Sequence, residues 1–310
     1  MPELPDVEVY LRKLGPRVVG QVLERIEVKS PFVVRSFDPA IREAVGRRVT
    51  GTRRVGKRIV LELEADLFLV VHLMIAGRLR WRAPGVSKPA IAAKLELARF
   101  GFAGGTLHLT EASSKKRASI HLVRGRAGVA ALDPGGLEPL SASVADFAAA
   151  LRRENHTIKR SLTDPHLLSG IGNAYSDEIL HRARMSPVKL TKRLTDDEIA
   201  GLLAAVQAVL TEWTERLDRE VGDGFPEKVT AFRAEMAVHG RFKQPCPVCG
   251  APVQRIVHAA NESNYCARCQ TGGRLLADRA LSRLLKEDWP RTLEELEEGK
   301  AARRGLPDAE

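Results

Sequence analysis

The sequence predicts an α+β protein of several domains: an N-terminal β-sandwich opened by a short helix, a helical middle and a C-terminal cysteine module. Three observations predict it. Short apolar runs separated by Gly and Pro fill residues 18–109, the pattern of a sandwich or barrel. The composition breaks at Asp133-Pro134-Gly135-Gly136-Leu137-Glu138-Pro139-Leu140, and beyond it the apolar spacing turns helical. All four cysteines fall within 24 residues of one another near the C-terminus.

Taken in order, Val7 to Leu14 reads as a helix that stops near Gly15-Pro16. Arg58 to Glu64 alternates as a half-buried strand, Ala65-Asp66 reads as a turn, and Leu67 to Leu73 is apolar throughout. Leu79–Trp81, Leu95–Leu97 and Leu107–Leu109 follow as strands, with Pro84 to Pro89 as a loop. Ser143-Val144-Ala145-Asp146 offers a cap for a helix to about Arg153, and Thr195-Asp196-Asp197-Glu198 opens a longer one to about Arg219. Between them, Gly170-Ile171-Gly172 precedes a helix, where backbone N–H groups can approach a phosphate. Leu275, Leu276, Ala280, Leu281, Leu284 and Leu285 recur at helical spacing, and a second short helix follows Pro290.

The chain has 310 residues, 44% hydrophobic and 28% charged, which describes an ordinary globular protein of about two domains by length. Its net charge of +10 and pI near 9.7 call for a polyanionic partner, nucleic acid before membrane. No apolar run reaches the ~18 residues of a membrane span, and the N-terminus carries charges where a signal peptide needs an apolar core. A cytoplasmic protein is expected. Cys246-Pro247-Val248-Cys249 and Cys266-Ala267-Arg268-Cys269, 16 residues apart, have the spacing of one tetrahedral Zn²⁺ site with four thiolates and no open position. Such a zinc is structural.

The N-terminus carries the chemistry. Once Met1 is removed, Pro2 presents a secondary amine, whose attack on an aldehyde-level carbon gives an iminium electron sink. An α-amino group titrates near ~7.7–8.0, so a small downward shift leaves it nucleophilic at neutral pH. Glu3 stands beside it to move protons.

The string Pro2-Glu3-Leu4-Pro5-Asp6-Val7-Glu8 resembles the amino terminus of the formamidopyrimidine-DNA glycosylase and endonuclease VIII family, on the formamidopyrimidine side. Three further motifs in the same order carry the resemblance through about residue 270: His72-Leu73-Met74-Ile75-Ala76-Gly77, Ile158-Lys159 with Gly170-Ile171-Gly172-Asn173, and the cysteine finger with Val238-His239-Gly240-Arg241. The resemblance implies a catalytic domain at 1–134, a helix–two-turns–helix domain at 135–238 and a zinc finger at 239–274, and beyond it residues 275–310 read as a helical tail of unknown role. It implies Pro2 as nucleophile, Glu3 as proton-transfer residue, and Lys57 as a phosphate contact near the lesion. Contacts to double-stranded damaged DNA fall on His72, Lys159 and Asn173, with Met74 or Ile75 as the wedge in the base stack.

Two places depart from the family pattern. Where the family carries Arg-Arg-Phe-Gly, this chain has Lys115-Lys116-Arg117-Ala118, so Lys116 and Arg117 keep the charge but the aromatic is missing. Asn261 stands where the finger arginine is expected. The expected activity is a monomeric, bacterial bifunctional glycosylase and abasic-site lyase that removes oxidised purines through a Schiff base and cleaves by β,δ-elimination. The departures keep open an oxidised-pyrimidine glycosylase, an abasic-site lyase, and a non-catalytic damaged-DNA binder of the same fold.

Overall fold

A computed structural model describes residues 1–85, 91–258, 261–277 and 290–304. It divides into two units. The first comprises Met1–Glu138, Pro165–Gly170 and Leu210–Ala231; the second comprises Pro139–Asp164, Ile171–Val209 and Phe232–Glu310. Among the described residues, no helix is long and apolar enough to cross a membrane.

In the first unit α1 runs Leu4–Val18 and buries Leu4, Val7, Tyr10, Leu14 and Val18, one stripe at helical spacing. Its start is fixed twice: Glu3 N–H donates to Asp6 Oδ2 (2.9 Å) and Leu4 N–H donates to the carbonyl of Gly170 (2.9 Å). The helix does not stop at Gly15-Pro16 as the sequence suggested; Pro16 lies inside its last turns. Proline's φ suits a helix and costs one hydrogen bond, and Gly15 has no Cβ for the proline ring to meet.

Two four-stranded antiparallel sheets form the sandwich. The strands are β1 (Arg25–Val28), β2 (Val49–Val55), β3 (Arg58–Leu63), β4 (Leu67–His72), β5 (Gly77–Arg82), β6 (Glu96–Phe102), β7 (Gly105–Glu111) and β8 (Ser119–Arg124). The orders are β1-β6-β7-β5 and β2-β3-β4-β8. The main core fills the space between them with Leu61, Leu69, Trp81, Phe100 and Leu109, together with the buried stripe of α1. Strand β4 is apolar from Leu67 to Val71 because a second cluster of Val60, Phe68, Val70 and Val129 covers its other face, with Val129 coming from α2 (Gly125–Ala130). Three residues, 64–66, turn the chain between the paired Leu63 and Leu67, and two of them, Ala65 and Asp66, have positive φ.

In the second unit α3 (Val144–Arg152) is capped by Ser143, whose hydroxyl accepts from Asp146 N–H. Helices α4 (Ile158–Thr163) and α5 (Asn173–Arg182) follow, then α6 (Asp196–Val221), whose last turns fall in the first unit. The ribbon is a hairpin of β9 (Val253–His258) and β10 (Asn261–Cys266) followed by α7 (Ala267–Thr271). Helix α8 (Leu293–Arg304) is the short helix expected after Pro290. Leu275 and Leu276 are not helical as the spacing suggested. They are buried in the ribbon core with Leu293, outside any helix or strand, and Leu275 N–H donates to Arg291 O (2.8 Å). The remaining positions of that expected helix, and most of the 84–89 loop, lie outside the described residues.

Candidate functional site

The amino terminus enters the first unit half-buried. Pro2 is buried and Glu3 is 3% exposed. Burial pushes the Met1 amine below its ordinary value; Glu3 opposes that shift, while Arg78 and Lys57 add to it. Lys57 occupies the Gly56-Lys57 turn between β2 and β3 and makes no hydrogen bond or ion pair among the described residues. Burial lowers its pKa also, with Glu3 again opposing. An amine, a carboxylate and a poorly solvated ammonium are thus electrostatic neighbours, which suits nucleophilic addition with proton transfer.

Strand register places further candidates on one rim. Arg58 pairs with His72 across β3–β4, and His72 pairs with Ser119 across β4–β8. Burial, then Arg58, Lys57 and His121, push His72 down to about 4, so it is neutral at physiological pH. Beyond His72 the chain makes a tight turn in which Gly77 N–H donates to Leu73 O (2.9 Å). A Cβ on Gly77 would lie 2.2 Å from that oxygen, so only glycine fits. Met74 takes a left-handed φ of 51° and is half-buried, while Ile75 is 55% exposed. Of the two wedge candidates, Ile75 is the one at the tip.

The basic loop before Ser119 hangs on one buried carboxylate. Glu111 Oε2 accepts from Arg117 N–H (2.9 Å) and Ala118 N–H (3.1 Å), and the Lys116 ammonium donates to Glu111 O. The side chains of Lys115, Lys116 and Arg117 stay exposed.

Three supporting residues were not legible in the sequence. Arg78 donates to Val229 O (2.7 Å), Gly77 O (2.6 Å) and Ile75 O (3.2 Å), bracing the tip beside the N-terminal amine. Arg54 is 9% exposed and bonds Glu8 and Glu138, both at 2.6 Å. Gly170, at φ 80°, has no room for a Cβ beside Leu4 (2.9 Å) and supplies the carbonyl that holds α1. Gly170 stood out in the sequence only as part of the Gly170-Ile171-Gly172 turn, not as the support of α1; the two arginines gave no signal, since their partners are distant in sequence.

In the second unit the polar residues face one another. Lys159 is 12% exposed and donates to Asp177 Oδ1 (2.5 Å), Ser176 Oγ (3.0 Å) and Asn173 O (3.2 Å). Asp177, fully buried, also meets His239 Nδ1 (2.8 Å). Glu178 accepts the backbone N–H groups of Ala237, Val238 and His239 at 2.7–2.9 Å, although burial still raises its pKa. Asn173 donates its side-chain amide to Glu262 O (2.9 Å) on the ribbon hairpin. Asn261 opens β10, and its side chain lies outside the described residues.

The four cysteine sulfurs lie within 4.8 Å of one another, with Cys246–Cys269 at 3.9 Å and Cys249–Cys266 at 3.4 Å. A tetrahedron of Zn–S bonds of ~2.3 Å has edges of ~3.8 Å, so the set fits a four-thiolate zinc. His181 Nε2 lies 3.3 Å from Cys246 Sγ.

Comparison with known proteins agrees across the chain. Residues 1–118 match the family model of the formamidopyrimidine-DNA glycosylase N-terminal domain, 136–221 that of its H2TH domain, and 243–272 that of a zinc finger found in FPG and IleRS. The formamidopyrimidine-DNA glycosylase of Heliobacterium modesticaldum is 33% identical over 282 residues, covering 87% of this chain and all of that one. A Lactococcus lactis Fpg bound to DNA containing an abasic site superposes with a TM-score of 0.75 at 28% identity, over 87% of this chain and 99% of that one. MutM in complex with DNA containing carbocyclic 8-oxo-G gives 0.74 at 27% identity, over 87% of this chain and all of that one.

Proposed function

The chain belongs to the formamidopyrimidine-DNA glycosylase family of DNA-repair enzymes with a structural zinc, and we propose that it excises oxidised purines from duplex DNA through Pro2 and then cleaves the strand. Removal of Met1 leaves the Pro2 nitrogen as a secondary amine in a partly desolvated place. That nitrogen attacks C1′ of the flipped nucleotide. Glu3 protonates the sugar ring oxygen, the base departs, and the iminium at C1′ acidifies C2′. Loss of the C2′ proton expels the 3′ phosphate, and a second elimination expels the 5′ phosphate. Lys57 holds a phosphate beside the reacting sugar, and Ile75 enters the stack in place of the flipped base. Lys159 and Asn173, bonded to Asp177 and to Glu262 O, order the α4–α5 turns that meet the duplex backbone. Cys246, Cys249, Cys266 and Cys269 hold the zinc that shapes the ribbon, and the enzyme works as a monomer.

One observation carries this reading: the amino terminus sits where burial lowers an amine's pKa and both Glu3 and Lys57 act on it. The test is borohydride trapping on duplexes carrying an abasic site, 8-oxoguanine or an oxidised pyrimidine, with mass mapping of the adduct. A cross-link at Pro2 on the 8-oxoguanine duplex, lost in Pro2→Gly, is expected. Trapping unchanged in Pro2→Gly would move the nucleophile elsewhere. The absence of an aromatic at Arg117 favours one second reading, in which the oxidised-pyrimidine duplex traps best.

A further inference from the structure

The segment 222–231 follows α6 and belongs to the first unit. Arginines of α1 and β5 hold it. Arg17 donates to Asp223 O (2.7 Å) and Gly224 O (3.1 Å), and its guanidinium lies 5.8 Å from the centre of the Phe225 ring. Arg82 pairs with Glu227 at 2.7 Å, and Arg78 donates through Nε to Val229 O (2.7 Å). Between these ties Phe225 meets the Tyr10 ring, with centroids 5.8 Å apart, and Val229 is buried in the main core. Since β5 is the outermost strand of its sheet, the segment runs along that edge as a strap.

Arg78 does one thing that Arg17 and Arg82 do not. Its Nη1 also donates to Gly77 O (2.6 Å) and to Ile75 O (3.2 Å). One planar fork thus bonds the strap with one nitrogen and the wedge turn with another. Arg78 is itself fixed, because β5 pairs it with Thr110, whose hydroxyl donates to Arg78 O (3.2 Å). The turn needs such a brace. Gly77 N–H to Leu73 O closes its base, but among the described residues no other hydrogen bond than that from Arg78 reaches Ile75. A wedge entering a base stack works against the unstacking cost, and a mount that yields would spend that work on its own backbone.

We infer that Arg78 is a positioning residue for damage recognition: its guanidinium ties the Ile75 turn to the core-anchored strap and so holds the wedge in the conformation that enters the duplex. This rests on the wedge role proposed for Ile75, through which Arg78 acts. Because Arg78 also bears on the N-terminal amine, the test must exclude chemistry.

The test measures equilibrium binding of the zinc-loaded, Met1-free full chain to a duplex carrying a tetrahydrofuran abasic analogue and to the same duplex undamaged. Arg78→Gln should weaken binding to the abasic duplex about tenfold and leave undamaged binding unchanged. In an Ile75→Ala background the same substitution should cost no more than about twofold, because there is no wedge left to hold. Arg78→Lys keeps the charge but offers a single nitrogen in place of the fork, so it should not restore the preference. Arg82→Gln frees the strap at Glu227 and leaves the bonds to the turn in place, so it should keep the wild-type preference. Full loss from Arg78→Gln in the Ile75→Ala background would overturn the inference, as would equal loss on both duplexes, recovery in Arg78→Lys, or the same loss in Arg82→Gln. An Ile75→Ala protein that still prefers the abasic duplex as wild type does would instead overturn the wedge reading, and the inference with it.

Discussion

The rim of the first unit and the polar centre of the second use the same residue types in opposite ways. At the rim, Lys57 lacks an ion pair among the described residues and His72 is pushed down to about 4, so burial is not offset by matched partners. In the second unit Lys159, Asp177 and His239 satisfy one another, and Glu178 is held by three backbone N–H groups. Groups left under-compensated are available to react with or hold a ligand. Groups compensated internally fix geometry, and cost stability when one partner is removed.

The largest expected effect separates the two regions outright. Structural zinc contributes about 10–16 kcal/mol in isolated fingers at neutral pH. Chelation, or Cys249→Ser, should unfold the ribbon and abolish DNA binding while the sandwich keeps its own melting transition by calorimetry. A single transition lost as a whole would break the division. Glu3→Gln should come next, cutting strand cleavage by about 10²–10⁴-fold with no change in Tm, as expected of a rim residue. Asp177→Asn should do the reverse. It leaves Lys159 and His239 without their carboxylate and should cost about 3–5 kcal/mol in denaturant titration, with Schiff-base trapping retained on the protein that remains folded. If Asp177→Asn abolishes trapping without destabilisation, the polar centre is catalytic and the contrast fails.

The smallest effect is a pH slope. The folded protein holds His72 at about 4 against an ordinary 6.5, so the unfolded chain takes up a proton that the folded one refuses. Stability is whole above pH 6.5 and falls as pH drops towards about 4. Over that interval wild type should lose more Tm than His72→Gln when the two are melted in parallel. Equal slopes would remove His72 from the set of strained rim groups.

What was legible in the sequence was local. The cysteine knuckles, the Ala65-Asp66 turn and the Ser143 cap each lie within a few residues, and each is where the spacing put it. Strand β2 was missed because Thr, Gly and Arg fill it between Val49 and Val55, which leaves no apolar period, whereas β8 does alternate from Ser119 to Leu122. The candidate site was legible as residue types and not as partners. Lys159 reads as a free cation until Asp177, which is 18 positions away, closes on it. Arg54 reads as surface charge until Glu8 and Glu138 are brought beside it. The wedge was ambiguous in sequence because its motif slips by one residue, and backbone conformation turns Ile75 outward at the tip.

The turn that Gly77 closes separates two kinds of tolerance. The glycine is fixed by a 2.2 Å conflict that no side chain escapes, whereas the residue at the tip answers to no packing demand of the protein itself. The turn is therefore a holder with an interchangeable bit. On the proposed reading, exchanging Ile75 would alter how the duplex is probed without disturbing the fold, so damage recognition could be retuned one residue at a time, while any change at Gly77 would discard the tool along with its mount.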